Sequence, residues 1–160
     1  MKKIFLLSIM ISITVLMIGC GKENEPVVPS ENWVSLSDIL DDESFGSLSL
    51  ISTKWKLIGF ADEEQGSFKY AEPSNEKSFI LDFQEIGILI GTSSTNEMTG
   101  EYTVKNNQIN IENWGGTKIG EINDGDLYRE SIPKVYYYRI NLKGLLLYYS
   151  DKEAMLFQPI

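Results

Sequence analysis

Tyr102-Thr103-Val104-Lys105-Asn106-Asn107-Gln108-Ile109-Asn110-Ile111 reads as two short strands joined by a tight turn. Apolar and polar side chains alternate on both sides of the turn, and asparagine tolerates the left-handed backbone that a turn of this kind requires. The same period of two recurs upstream. In Lys54-Trp55-Lys56-Leu57-Ile58, ahead of Gly59 and Phe60, Trp55 and Leu57 share one face. Phe68 to Ala71 is placed to pair with that strand across an acidic turn containing Gly66. Phe79, Leu81 and Phe83 fall together in the next alternating run, and Ile86 to Thr92 is a more continuous apolar stretch interrupted by Gly87. Downstream, Thr117 to Ile122 reads as a further strand. Tyr138, Ile140, Leu145, Leu147 and Tyr149 alternate through two more, and Ala154 to Gln158 reads as the last.

One helix interrupts this pattern. Asp124-Gly125-Asp126-Leu127-Tyr128-Arg129-Glu130-Ser131-Ile132 has the acidic start of a helix N-terminus, and Pro133 limits its length. Short connections favour antiparallel pairing, and a sheet of this size hides its edges by curling or closing. The expected fold over residues 51–160 is therefore mainly β: a single antiparallel, barrel-like curved sheet of about eight strands with one short late helix. Residues 33–50 are more open. Trp33, Leu36, Ile39 and Leu40 have helical spacing, with Ser35 or Ser37 available as a cap, and an irregular flap fits them equally.

The first residues carry the information on location. Lys2 and Lys3 precede a fifteen-residue apolar run, Ile4 to Ile18, followed by Gly19 and the chain's single cysteine, Cys20. At ~1.5 Å per residue a helix of that length reaches about 22 Å, short of the ~30 Å needed to span a bilayer. A charged n-region and an apolar h-region make a leader, and Leu16-Met17-Ile18-Gly19-Cys20 resembles a bacterial lipobox, with Met17 where leucine is usual. The expectation is a lipoprotein signal peptide over 1–19 and lipid attachment to Cys20. Residues 20–32, with Pro26 and Pro29, then form a lipidated flexible tether. A lone cysteine has no disulfide partner, and acylation removes its thiol. Two or three acyl chains anchor stably where one is marginal. Gly21 stands where an aspartate would resemble an inner-membrane retention signal, so the expected location is the outer membrane of a Gram-negative bacterium. Lys22-Glu23-Asn24-Glu25 resembles the surface-export signals of Bacteroidetes lipoproteins, and both faces of that membrane remain open.

Composition narrows the chemistry. The 160 residues carry a formal net charge of −9, which repels phosphate backbones and disfavours nucleic acid as a partner. There is no histidine, which excludes a Ser-His-Asp triad, a Cys-His pair and zinc sites with imidazole ligands. The commonest base near neutral pH is thus absent.

A wider pattern connects these segments. Gly91-x4-Asn96-x3-Gly100-x-Tyr102 resembles the middle motif of META/HslJ-like domains. Trp55-x-Leu57 is similar to that family's first strand. Thr117, Ile132-x2-Val135-x2-Tyr138-x-Ile140, Leu145-x-Leu147 and Leu156-Phe157 are similar to its C-terminal half. The resemblance covers residues 53–158. It implies a compact antiparallel barrel-like sheet with one helix, an envelope lipoprotein with proposed links to stress or antibiotic tolerance, and no established catalysis. The family often has a cysteine before the asparagine and another after the threonine. Those neighbourhoods hold Thr95 and Glu121 here, so the implied disulfide is missing. A lipocalin-like barrel is the rival, but Thr53 occupies the glycine position of its Gly-x-Trp start, and the chain is short for eight long strands around a ligand.

Three further groupings bear on function. Asn123-Asp124-Gly125-Asp126, with Glu121 and Glu130, invites a calcium reading, but aligning Gly125 with an EF-hand glycine puts Gly120 and Ile122 at ligand positions, and the match fails. Glu63-Glu64, Asp41-Asp42-Glu43 and Glu72 with Glu76 are acidic groups of the kind a glycosidase sets across a cleft; solvated surface charge explains them more simply. Tyr136-Tyr137-Tyr138, Tyr148-Tyr149, Trp33 and Trp114 offer an aromatic platform for a glycan or protein partner, with Trp114, Tyr137 and Tyr148 the expected exposed rings. No cofactor and no metal are implied. The resulting expectation is a non-catalytic, membrane-anchored envelope lipoprotein serving envelope integrity, stress or an accessory interaction, with a ligand-binding barrel as the alternative.

Overall fold

The computed structural model describes residues 33–160. The leader, Cys20 and the tether lie outside the described residues. The strands are β1 (Trp33–Ser35), β2 (Lys54–Asp62), β3 (Ser67–Tyr70), β4 (Ile80–Phe83), β5 (Ile88–Thr92), β6 (Glu97–Lys105), β7 (Gln108–Gly116), β8 (Tyr137–Asn141), β9 (Gly144–Tyr148) and β10 (Glu153–Pro159); α1 (Gly125–Ser131) is the single α-helix among these residues. They form one sheet in the order β1-β3-β2-β10-β9-β8-β7-β6-β5-β4, and β2 also pairs with β4. Every strand pairing is antiparallel, and eight strands, β2 and β4 to β10, close into a ring.

The β6–β7 hairpin forms around the asparagine turn, with Asn106 at φ 59°. β2 belongs to two neighbourhoods on one side. Its first residues, Lys54 to Lys56, pair with β4, and Gly59 to Asp62 pair with β3. Its other side runs along β10, with a register shift that leaves Ile58 without a partner there. The ring is thinnest between β7 and β8, where Gln108 and Tyr137 are the one registered pair. The turn Ile132–Lys134, continuing from α1, packs beside β7 where β8 does not reach. Pro133 sits inside that turn, as expected for a residue that ends a helix. At the β8–β9 hairpin, Gly144 has φ 127°, and a Cβ there would lie 2.0 Å from the Phe157 carbonyl oxygen, so no larger residue fits.

Alternation sorts side chains to the two faces. Trp55, Leu57, Phe79, Leu81, Phe83, Leu89, Leu145, Leu147, Met155 and Phe157 fill the ring, joined by Tyr128, Ile132 and Val135 from the helical segment. Packed interiors of this kind leave few voids larger than a water molecule. Phe79 sits at φ 59°, an uncommon conformation for an aromatic residue, with its ring held 5.0 Å from Tyr128. A second apolar cluster lies on the outer face: Ala61, Phe68, Leu146, Tyr148, Ala154 and Leu156, with Val34, Leu36 and Ile39. This explains why β9 is buried along its whole length. Residues 33–50 therefore form a strap. It consists of β1 and two single-turn 3-10 segments, Leu36–Asp38 and Phe45–Ser47, and not an α-helix. The Ser35 hydroxyl caps the first turn by accepting from the Ser37 N–H at 3.3 Å.

Candidate functional site

The densest polar cluster joins the β5–β6 turn to the segment between β7 and α1. The sequence predicts a strand over Thr117 to Ile122; the structure has no strand there, because the backbone is fastened by side chains instead. Asn96 is 2% exposed and uses both ends of its amide. Its Oδ1 accepts from Thr117 Oγ1 and from the Ile119 N–H, both at 2.8 Å. Its Nδ2 donates to the Ile119 carbonyl at 2.8 Å and to Glu121 Oε1 at 2.7 Å. Glu121 also accepts from Ser93 Oγ at 2.8 Å and Ser94 Oγ at 2.5 Å. Thr95 Oγ1 lies 3.0 Å from the Gly120 carbonyl and 3.3 Å from Glu121 Oε2. Hydrogen bonds thus join Thr95 and Glu121, the two neighbourhoods where the family resemblance implies cysteines.

Partial burial pushes the Glu121 carboxyl up, but donors from Ser94, Ser93, Asn96 and Thr95 together outweigh it and hold the pKa below the ordinary carboxylate range. A carboxylate stabilised this way is a weak base, so the cluster is built to hold a loop and not to move a proton. Asp124, also buried, accepts from Lys69 Nζ at 2.5 Å and from the Glu72 N–H at 2.9 Å, tying the start of α1 to β3. Two of the carboxylates suggestive of calcium, Asp124 and Glu121, are therefore engaged by internal donors, and no group of three or more His, Cys, Asp or Glu among the described residues is arranged to hold a metal.

The expected aromatic platform does not assemble. Tyr137 and Tyr148 are opposite each other on β8 and β9, with ring centroids 5.6 Å apart. Tyr137 is 36% exposed, but Tyr148 is only 6% exposed, which corrects the expectation of an exposed ring. Its hydroxyl donates to Glu63 Oε1 at 3.0 Å, and the Arg139 guanidinium lies 5.5 Å from its ring centroid while pairing with Glu63. Trp114 is elsewhere, half-buried against the ring's interior, so the expectation of an exposed indole is also corrected. Gly91 and Gly100 make its seat: a Cβ on either would come within 3.0 or 3.1 Å of the indole. Sequence spacing places these glycines in one motif; the indole lying across both, together with the Ile80 carbonyl 2.5 Å from a Cβ at Gly91 and the Glu112 carbonyl 3.0 Å from one at Gly100, explains why neither has a side chain.

The paired carboxylates also find cations. Glu63 meets Arg139, Glu64 meets Lys152, and Asp41 meets Lys143 at 2.8 Å. Two buried side-chain atoms among the described residues have no hydrogen-bond partner, Trp114 Nε1 and Tyr128 Oη. Burial, and then the nearby Glu121 charge, raise the Tyr128 pKa well above its ordinary value. An orphaned buried hydroxyl costs stability, so Tyr128→Phe should raise the stability of the domain by about 1 kcal/mol in urea melts. A loss of stability would instead identify a partner for that hydroxyl.

The chain matches no family model and no curated protein. Among solved structures it is similar to the NMR structure of a protein from Burkholderia xenovorans, with a TM-score of 0.56, 16% identity, and coverage of 88% of this chain and 97% of that one. It also aligns with the crystal structure of a duf4847 family protein from Bacteroides vulgatus, at a TM-score of 0.48 and 16% identity over 72% of this chain and 94% of that one. The likeness to the Burkholderia protein is one of fold.

Proposed function

We propose that this chain is a non-catalytic lipoprotein of the Gram-negative outer membrane, held by lipid on Cys20, whose β domain serves envelope integrity or an accessory interaction. The observation that carries the reading is the apolar leader ending at Cys20. The domain adds support. Its ring is filled with large apolar side chains, which leaves the outer surface for contacts and disfavours a ligand held inside as in a lipocalin. Glu121, the most heavily hydrogen-bonded carboxylate, is held as a structural anion. The spacing that resembles META/HslJ-like domains fits the same reading, since Asn96, Gly91 and Gly100 each have a structural role.

The test is membrane fractionation of cells producing the full chain or Cys20→Ala. Wild type should sediment with membranes and require detergent for release, whereas Cys20→Ala should lose that association. Unchanged partitioning of the variant would overturn the reading. Protease applied to intact cells then separates the two faces of the membrane: digestion indicates a partner outside the cell, and protection a periplasmic role.

A further inference from the structure

The N-terminal strap leaves an open groove of about 520 Å³ where it crosses the outer face of β2, lined by Asp38, Leu40, Asp42, Phe45, Ile58 and Tyr70 among others. Two of its apolar residues are presented to solvent: Leu40 is 84% exposed and Tyr70 47% exposed. The backbone on either side of Leu40 is fastened. Lys143 Nζ donates to the Ile39 carbonyl at 2.5 Å, and the Asp42 N–H donates to the Leu142 carbonyl at 2.7 Å. The adjacent Asp42 carboxylate accepts from both the hydroxyl and the N–H of Ser44. Three aspartates line the groove and no basic residue does. Lys143 neutralises one of them, Asp41, leaving Asp38 and Asp42 as net negative charge beside exposed apolar surface. A leucine on a fastened stretch of backbone, between carboxylates, is complementary to a chain that alternates cations with apolar side chains.

We propose that this groove docks a basic peptide segment in which lysine or arginine alternates with apolar residues. The inference deepens the accessory-interaction reading and rests on it for the role of the contact. The groove's chemistry is measured separately, so the two can fail independently.

The experiment is fluorescence anisotropy of a labelled peptide of alternating lysine and leucine, titrated with the full chain solubilised in nonionic detergent. Partition of peptide into micelles is common to all samples, so differences between variants report the protein. Asp38→Asn with Asp42→Asn should weaken binding about tenfold, and Leu40→Ser several-fold. These positions are exposed, which leaves the fold intact. Glu85→Gln with Glu130→Gln removes equal charge outside the groove and should leave affinity unchanged. Equal weakening by both pairs would reduce the contact to general attraction to an acidic chain and overturn the proposal. So would equal binding of a peptide with glutamate in place of lysine. Binding is read on solubilised protein, so the fractionation result for Cys20→Ala does not bear on it.

Discussion

Asn96→Ala should lower the stability of the domain by about 4 kcal/mol and its thermal midpoint by roughly 10 °C or more. The side chain does nothing apolar that alanine could replace. Its loss strands the Ile119 N–H and carbonyl, removes the Thr117 contact, and takes one donor from the Glu121 carboxylate. Asn96→Asp should be at least as damaging at neutral pH, because it sets a second carboxylate against Glu121. The pH dependence follows from Glu121. Its folded pKa is depressed, so its contribution is present above the unfolded value of about 4.5 and is lost as pH falls through the lower folded value. Wild type should therefore destabilise more steeply below pH ~4.5 than Asn96→Ala, which has already lost one of the donors responsible. Urea melts across pH would show this; parallel curves for the two proteins, or a loss below 1 kcal/mol at neutral pH, would contradict the assigned role.

Trp55→Ala should cost about 5 kcal/mol, the largest effect expected of a single side chain here. The indole is fully buried in the first ring strand, opposite Leu81 on β4 and Pro159 on β10. It therefore contacts the place where the ring closes on itself. Its Nε1 also donates to the Leu50 carbonyl at 3.1 Å, which fastens the end of the strap to the ring. Removal opens a cavity worth about 3–5 kcal/mol and leaves that carbonyl without a donor. Against a total stability of about 5–15 kcal/mol, much of the protein should unfold at 37 °C. Trp55→Phe keeps most of the volume and should recover more than half of the loss. A cost under 2 kcal/mol for alanine would mean that the ring collapses around the gap.

These two residues differ in how well the sequence announces them. Trp55 is visible at once, because the period of two puts it beside Leu57 on the buried face. The β6–β7 hairpin and α1 are equally plain, since asparagine at a left-handed turn and acidic residues before Pro133 are local signals. The barrel-like antiparallel sheet followed from them. Asn96 stands out only within a family-like spacing, and its partners at 117, 119 and 121 are joined to it by no local period. Thr117 to Ile122 reads as a strand for the same reason: the local sequence does not record that a distant amide holds the backbone. The pairing of Lys69 with Asp124 spans 55 residues and is likewise silent in sequence. The strap was ambiguous because it covers an outer face whose burial appears only after the ring has formed. That second layer also hides Tyr148, which alternation alone could not distinguish from a surface ring.

The pairing of β2 with β10 sets the order of events in the life of the chain. Residues as far apart as Trp55 and Pro159 must meet before the ring has no open edge. Chains dominated by such distant pairings fold slowly. During synthesis the apolar strands from β2 onward wait for β10, with the long edge of β2 exposed, and a chain lacking β10 would be left with a sheet open on two sides. If the chain crosses a membrane before it folds, as the proposed location requires, that delay is an advantage: the ring cannot close until β10 has arrived on the far side.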